Sequence, residues 1–125
     1  MGRLCENIFF MQSAETRVIM NNKLKTPAVE QLFQAILSLQ DLDEAYDFFE
    51  DVCTINEILS LSQRFEVAKM LREHRTYLDI AEKTGASTAT ISRVNRSLNY
   101  GNDGYDRVFE RLGMLDEVPE DKENK

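Results

Sequence analysis

Residues Tyr77 to Leu98 read YLDIAEKTGASTATISRVNRSL, and this stretch predicts two short helices that meet at a sharp turn. Thr76 is a good N-cap for the first helix, with Asp79 placed as in a capping box. Gly85 ends that helix, because a residue without Cβ takes the left-handed backbone conformation at little cost. Ser87 caps the second helix, which has an apolar inward face at helical spacing. The inward residues are Ile91, Val94 and Leu98. This pattern is typical of a helix-turn-helix.

The outward side of the second helix suggests what the unit binds. Its residues are short at the N-terminal end and hydroxylic or basic farther along, as in helices that enter the major groove of DNA. The alternative is that this side is simply the solvent-exposed polar face of a core helix and binds nothing. We expect Thr88, Ala89 and Thr90 at base edges, and Ser92, Arg93 and Arg96 on phosphates. Ser87, the cap, completes the predicted DNA-binding set.

The charge distribution agrees with this interpretation, although the formal net charge of −7 by itself does not. Phosphate neutralisation supplies most non-specific affinity for DNA, so an acidic total counts against binding. From Ser62 to Tyr100, however, seven Lys and Arg stand against four Asp and Glu, a balance of +3. Residues 1–61 carry −6 and residues 101–125 carry −4. The acidic remainder would repel DNA from the other faces.

The sequence contains no recognisable catalytic or metal-binding arrangement of residues. Cys5, Cys53 and His74 lack metal-ligand spacing and form no nucleophile–base pair. The sequence has no Gly-rich phosphate loop and no pair of acids in a catalytic frame. No apolar run approaches the ~20 residues of a membrane span, and the run from Ile8 to Met11 is too short for a signal peptide. We expect a cytoplasmic protein that is not an enzyme and uses no metal or cofactor.

Helix signals and polar segments divide the chain into three parts. Residues 1–22 are predicted to be a disordered or weakly ordered extension, and the sequence identifies neither its function nor the true start site. Residues 114–125 are predicted to be a disordered acidic tail. Between them, residues 23–113 form one all-α domain with the helix-turn-helix at residues 77–98. Six helices are expected: one from Pro27 to about Leu39, one opened by Asp41, one from Thr54 to roughly His74, the two of the helix-turn-helix, and a last one through Leu112.

Apolar residues in the first three helices predict how the domain packs. The third helix is expected to pack through a seam of Ile55, Ile58, Leu59, Ser62, Phe65, Ala68 and Leu71. The first two helices carry apolar stripes over residues 29–39 and 45–52, which is more than one neighbouring helix can cover. Surplus apolar surface of this kind usually marks a protein interface, here expected to be a homodimer.

Several segments resemble known sequences. Residues 85–98 resemble the recognition segment of the bacterial Trp repressor. Residues 48–55, which run toward 61–68, and residues 98–105 are more similar to the YerC/YecD group of Trp-repressor-related proteins. The resemblance covers about Lys23 to Leu112. It implies a Trp-repressor-like six-helix domain that forms an intertwined homodimer through its N-terminal helices and its last helix.

The resemblance also raises the question of a small-molecule effector. The Trp repressor holds tryptophan between two arginines, one on the helix before the motif and one on the recognition helix. Arg93 matches the second, whereas Gln63 stands at the first position with Arg64 beside it. A glycine that follows the recognition-helix arginine is Val94 here. Arg64, Arg93 and Val94 thus mark a candidate effector pocket, and the departures argue against L-tryptophan as its ligand.

These observations predict a sequence-specific DNA-binding transcriptional regulator, with repression implied by the resemblance. One recognition helix reads too few base pairs, so a homodimer should bind two half-sites about one DNA turn (~34 Å) apart. The alternative is a helical protein-interaction adaptor of the transcription machinery that keeps the fold without specific DNA binding. The acidic total favours that alternative, and salt-dependent binding to duplex DNA separates the two.

Overall fold

The structure, a computed structural model, describes residues 22–115, and in that range it contains helices and no strand. A short 3-10 turn at Asn22–Leu24 precedes six α-helices, which confirms the all-α prediction. The helices are α1 (Pro27–Leu37), α2 (Leu42–Val52), α3 (Ile55–Arg72), α4 (Tyr77–Thr84), α5 (Thr88–Tyr100) and α6 (Gly104–Leu112). Residues 1–21 of the predicted extension (1–22) and residues 116–125 of the predicted acidic tail (114–125) lie outside the described residues.

The starts of α1 and α3 follow from local capping chemistry. The Thr26 hydroxyl accepts the Val29 backbone N–H at 3.2 Å, and proline occupies the first helical position. At α3 the Thr54 hydroxyl accepts the Glu57 N–H at 3.1 Å, and the Glu57 carboxylate accepts the Thr54 N–H at 2.9 Å. This reciprocal pair is a complete capping box, as the sequence predicts.

Three helix ends differ from the sequence-based expectation, and one of them is the end of α5, which continues to Tyr100 instead of Leu98. Helix α1 stops at Leu37 instead of about Leu39, and α3 stops at Arg72 instead of about His74. His74 adopts a left-handed backbone conformation with φ of 65°, which ends the helix without a glycine. The backbone N–H groups of His74 and Arg75 fold back onto the carbonyls of Leu71 and Met70. The sequence marks this turn only weakly, because histidine adopts positive φ less readily than glycine does.

The core lies around the C-terminal half of α3, which confirms the predicted seam at Phe65, Ala68 and Leu71 and corrects its N-terminal part. Ile55 and Leu59 are exposed by 73% and 60%, whereas Val67 and Met70, absent from that seam, are buried. An 18-residue helix is about 27 Å long, and the short helices α4 and α5 pack against α3 within one compact unit without covering its full length. The buried core residues are Val67, Ala68, Met70, Ile80, Ala86, Ile91, Val94, Leu98 and Phe109.

Helix α6 is attached to α3 by an aromatic cluster. The Phe65 ring lies 5.0 Å from that of Phe109 and 6.3 Å from that of Tyr105, between ring centroids. Such tilted pairs add to the free energy gained from burial alone. Met114 and Leu115 also pack against the core cluster, so the packed region continues two residues beyond the predicted boundary at residue 113.

The chain divides into two compact units, one up to Phe48 and one from Phe49 onward. In the described part of the first unit, the apolar residues of α1 remain accessible. Leu32, Phe33 and Leu37 are exposed by 39%, 52% and 75%. Helix α2, which spans the division, likewise has no buried residue, and its Tyr46 is exposed by 61%. The apolar stripes noted in the sequence are thus largely uncovered in the single chain.

Candidate nucleic-acid interface

Helices α4 and α5 form the helix-turn-helix at the predicted position. The Thr76 hydroxyl caps α4 by accepting the Asp79 N–H at 3.1 Å. Gly85 ends α4 with φ of +76°, and its N–H donates to the Ala81 carbonyl at 2.8 Å. Left-handed backbone of this kind favours glycine, which explains the residue at this turn. The Ser87 hydroxyl then caps α5, two residues after the glycine.

The capping box expected at α4 forms only in part, because the Asp79 carboxylate has other partners. It forms an ion pair with Arg75 and lies 3.6 Å from the Lys83 ammonium. The hydrogen bond from Arg75 lowers the pKa of Asp79 below its ordinary value. Two cations of the basic segment, residues 62–100, therefore form ion pairs with one acid on α4.

One face of α5 is buried and fixes which residues point outward. Ile91, Val94 and Leu98 are exposed by 0%, 2% and 4%, and all three belong to the core cluster with Ile80. Their spacing of three and four residues is that of a single helical stripe. The inward face predicted from the sequence is confirmed.

The opposite face of α5 carries the predicted DNA-binding residues. Thr88, Ala89, Ser92, Arg93 and Arg96 are all exposed, and Thr90 is half-buried. The Thr90 backbone N–H donates to the Ser87 hydroxyl at 3.1 Å, and that hydroxyl donates to the Thr90 hydroxyl at 3.2 Å. Ser87 is therefore the cap of α5, as predicted, and it also holds the Thr90 side chain.

Ion pairs decide which cations remain available for a phosphate. Among residues 22–115, the salt bridges of the basic segment engage Lys69, Arg72, Arg75 and Lys83 with carboxylates of Glu73, Asp106 and Asp79. None of those ion pairs includes Arg93 or Arg96. Arg64 on α3 is likewise outside those ion pairs, so the available positive charge of residues 62–100 lies on α5 and at Arg64.

The residues of the candidate effector pocket lie in different surroundings. Val94 is buried in the core. Arg64 is exposed on α3. Burial raises the pKa of the Tyr105 hydroxyl on α6, and the positive charge of Arg64 opposes that shift. Arg93 is exposed on α5. An effector pocket built from these residues stays a prediction.

Two side chains support the helix-turn-helix through contacts that the sequence did not predict. Gln63 of α3 donates its Nε2 amide to the Thr84 carbonyl at 3.1 Å. Arg72 of α3 donates to the Leu98 carbonyl at 3.1 Å and also pairs with Asp106 of α6. These partners are 21, 26 and 34 positions apart, beyond the reach of any capping or periodicity rule.

Residues 22–115 contain no group of three or more His, Cys, Asp or Glu that could hold a metal ion. None of the helices in this range is both long enough and apolar enough to cross a membrane.

Comparisons with known proteins agree with one another. The family model for the Trp repressor protein matches residues 27–113. The uncharacterized protein YerC of Bacillus subtilis (strain 168) is 62% identical over 91 residues, which is 73% of this chain and 88% of YerC. A TrpR-like protein from Eubacterium eligens ATCC 27750, whose crystal structure is known, is 96% identical in sequence. Its structure matches with a TM-score of 0.75, and the match covers 78% of this chain and 100% of the E. eligens chain. A proposed Trp repressor from Staphylococcus aureus is 51% identical, with a TM-score of 0.74 over 77% of this chain and 96% of that one.

Proposed function

The chain belongs to the Trp repressor family, and from this premise we propose that it is a sequence-specific DNA-binding transcriptional regulator, a repressor that acts as a homodimer. The observation that carries the proposal is the two-sided character of α5. One face is locked into the core, and the opposite face exposes small, hydroxylic and basic side chains. A helix anchored in this way is suited to enter a major groove.

The residues of α5 divide into two roles. Thr88, Ala89 and Thr90, at the N-terminal end, read base edges, because short side chains let the helix approach them closely. Ser92, Arg93 and Arg96 bind phosphates and set the position of the helix on the duplex. Within residues 22–115 neither arginine takes part in an ion pair, which supports the phosphate role, since neither guanidinium must first give up a protein carboxylate.

A homodimer completes the binding unit. The exposed apolar side chains of α1 and α2 support pairing with a second copy, because a monomer rarely leaves such surface uncovered. Two-fold pairing presents two recognition helices to half-sites about one DNA turn (~34 Å) apart. The relatives are bacterial, and bacterial DNA lies in the cytoplasm, so the regulator acts in that compartment. No catalytic step is part of this function.

Selection of duplexes from a random pool at low salt tests the proposal. We expect enrichment of a two-fold symmetric sequence, and binding that weakens steeply as salt rises. Replacing Thr88 or Thr90 should change the preferred sequence, at about 1–3 kcal/mol for each base interaction removed. A pool that remains random after selection would contradict specific DNA binding.

The adaptor function is the competing candidate, and it is supported by the acidic surface of α2. That helix carries Asp43, Glu44, Asp47, Glu50 and Asp51 with no Lys or Arg. An adaptor of this kind would form a dimer or bind another protein while showing no salt-dependent affinity for duplex DNA. Titration with duplex DNA at several salt concentrations therefore decides between the two functions.

A further inference from the structure

The turn between α4 and α5 is linked to the scaffold by the side chain of Gln63. Its Nε2 atom donates to the carbonyl oxygen of Thr84 at 3.1 Å, in a half-buried position. Thr84 is the last residue of α4. The last four carbonyls of a helix have no partner within that helix, so this acceptor needs a donor from elsewhere. Gln63 supplies one from the middle of α3.

The turn beyond this link is well bonded within itself. The Thr84 hydroxyl donates to the Ile80 carbonyl at 2.7 Å and accepts the Ala86 backbone N–H at 3.1 Å. The Gly85 N–H closes the end of α4 on the Ala81 carbonyl. Residues 84–86 are therefore hydrogen-bonded to the end of α4 and to one another, and Ser87, which caps α5, follows directly.

Apolar packing alone does not define the exact depth and angle of α5. Ile91, Val94 and Leu98 determine which face of the helix is buried, but apolar burial has no directional preference. A hydrogen bond does have one, because it weakens steeply as its angle and distance depart from the optimum. The Gln63–Thr84 bond lies at the N-terminal side of α5, next to the residues proposed to read bases.

We propose that Gln63 is a positioning residue for sequence reading, holding the turn so that the first residues of α5 are set at one depth and angle. This inference rests on the proposed function. Contacts to base edges tolerate little displacement, whereas phosphate contacts of long basic side chains tolerate more. Loss of the Gln63 donor should therefore reduce discrimination between sequences more than it reduces overall affinity for duplex DNA.

The test compares Gln63→Met with the wild-type chain. Methionine keeps the length and the apolar stem of the side chain but removes the amide donor. Gln63→Asn keeps the amide on a side chain one methylene shorter, and it should behave like Gln63→Met because the donor no longer reaches Thr84. Ser62→Ala, at the exposed neighbouring position of α3, is the matched control.

Each variant is titrated with the duplex selected by the wild-type protein and with a scrambled duplex, well below its own melting temperature. The ratio of the two affinities should fall about two- to tenfold for each recognition helix in Gln63→Met and Gln63→Asn, and stay unchanged in Ser62→Ala. A purely structural role would leave this ratio unchanged, because fewer folded molecules would weaken binding to both duplexes alike.

Hydrogen exchange provides a second measurement without DNA. The Gly85 and Ala86 amides should exchange faster in Gln63→Met, while the amides of the C-terminal half of α3 keep their protection. If both variants keep the wild-type affinity ratio and the wild-type exchange at the turn, the positioning role is wrong while the proposed function stands. If the wild-type protein itself selects no sequence, the proposed function fails first.

Discussion

The Arg72 guanidinium of α3 binds the Asp106 carboxylate of α6 through two parallel hydrogen bonds. Nε lies 2.7 Å from Oδ1, and Nη2 lies 2.8 Å from Oδ2. The same Nη2 donates to the Leu98 carbonyl at 3.1 Å, near the end of α5. One side chain of α3 thus joins that helix to α5 and to α6. Two-pronged pairing of this kind has the most favourable geometry available to an arginine and a carboxylate.

This ion pair predicts a pH dependence of stability. The hydrogen bond from Arg72 lowers the pKa of Asp106, so the folded state favours the ionised carboxylate. Its contribution is then fully present above the ordinary pKa of aspartate, near 4, and disappears as pH falls through the lowered value. We expect Asp106→Asn to reduce the free energy of unfolding by about 1 kcal/mol at pH 7, because the pair is partly exposed.

Denaturant unfolding at pH 7 and at pH 3 measures this effect. The difference between wild type and Asp106→Asn should be smaller at pH 3, because below the ordinary aspartate pKa near 4 the unfolded chain binds a proton and the advantage of the lowered folded-state pKa is progressively lost. Glu110→Gln, which removes an exposed acid from the same helix, is the control and should show a smaller difference at pH 7. Equal differences at the two pH values would show that the pair contributes nothing through ionisation.

Arg93 and Arg96 should control the salt dependence of DNA binding. Each substitution to alanine should weaken binding to all duplexes alike, because phosphates carry no sequence information. The slope of log affinity against log salt should decrease by about 0.9 for each phosphate that is no longer neutralised. Titrations at several salt concentrations give the slope, and Arg111→Ala, an exposed arginine of α6, is the matched control. Unchanged slopes in both α5 variants would remove these residues from the interface.

The apolar surface of α1 should be required for assembly and for folding together. Leu32 and Phe33 are exposed by 39% and 52% in the single chain, and we expect a second copy to cover them. Leu32→Asp or Phe33→Asp would then bury an unpaired charge at the interface, at a cost of several kcal/mol. The resulting monomer should be largely unfolded by circular dichroism and sedimentation.

Gln31→Asp, at a neighbouring exposed polar position of α1, is the control for the added charge and should remain dimeric. A well-folded monomer of the Leu32 or Phe33 variant would show that the domain needs no partner to fold.

L-tryptophan should leave operator affinity unchanged. Gln63 stands where the resemblance implies an arginine, and its amide is bonded to Thr84. Val94 adds a branched side chain where the related repressor has none, and this side chain is 2% exposed. Calorimetric titration with L-tryptophan, paired with operator titrations in its presence and absence, measures both quantities. Saturable binding coupled to tighter operator affinity would overturn this prediction.

Val94→Gly tests whether that side chain closes a site for the amino acid. A gain of tryptophan binding in this variant would show that it does. Because Val94 belongs to the core, the substitution also leaves a cavity and places glycine inside a helix, and the glycine alone costs about 1 kcal/mol. Thermal unfolding of the variant with and without tryptophan must therefore accompany the titration.

The helix starts and the inward face of α5 were predictable from the sequence because their causes are local. A cap such as Thr54 or Ser87 bonds a backbone group three residues away, and Gly85 meets a conformational need of its own position. The spacing of Ile91, Val94 and Leu98 is likewise fixed by the period of one helix. The exposed face of α5 follows from that spacing, and so does the set of candidate DNA-binding residues.

Tertiary structure decided which of several equivalent local patterns is used. Apolar residues run along all of α3, but the helices that cover it reach its C-terminal half, so Val67 is buried and Leu59 is not. Seven Lys and Arg lie between Ser62 and Tyr100, and the packing of α3 against α6 brings Arg72 to Asp106 while Arg93 and Arg96 remain on the open face of α5. Pairing across 21 to 34 positions depends on the positions of whole helices in space, and no local spacing rule encodes that.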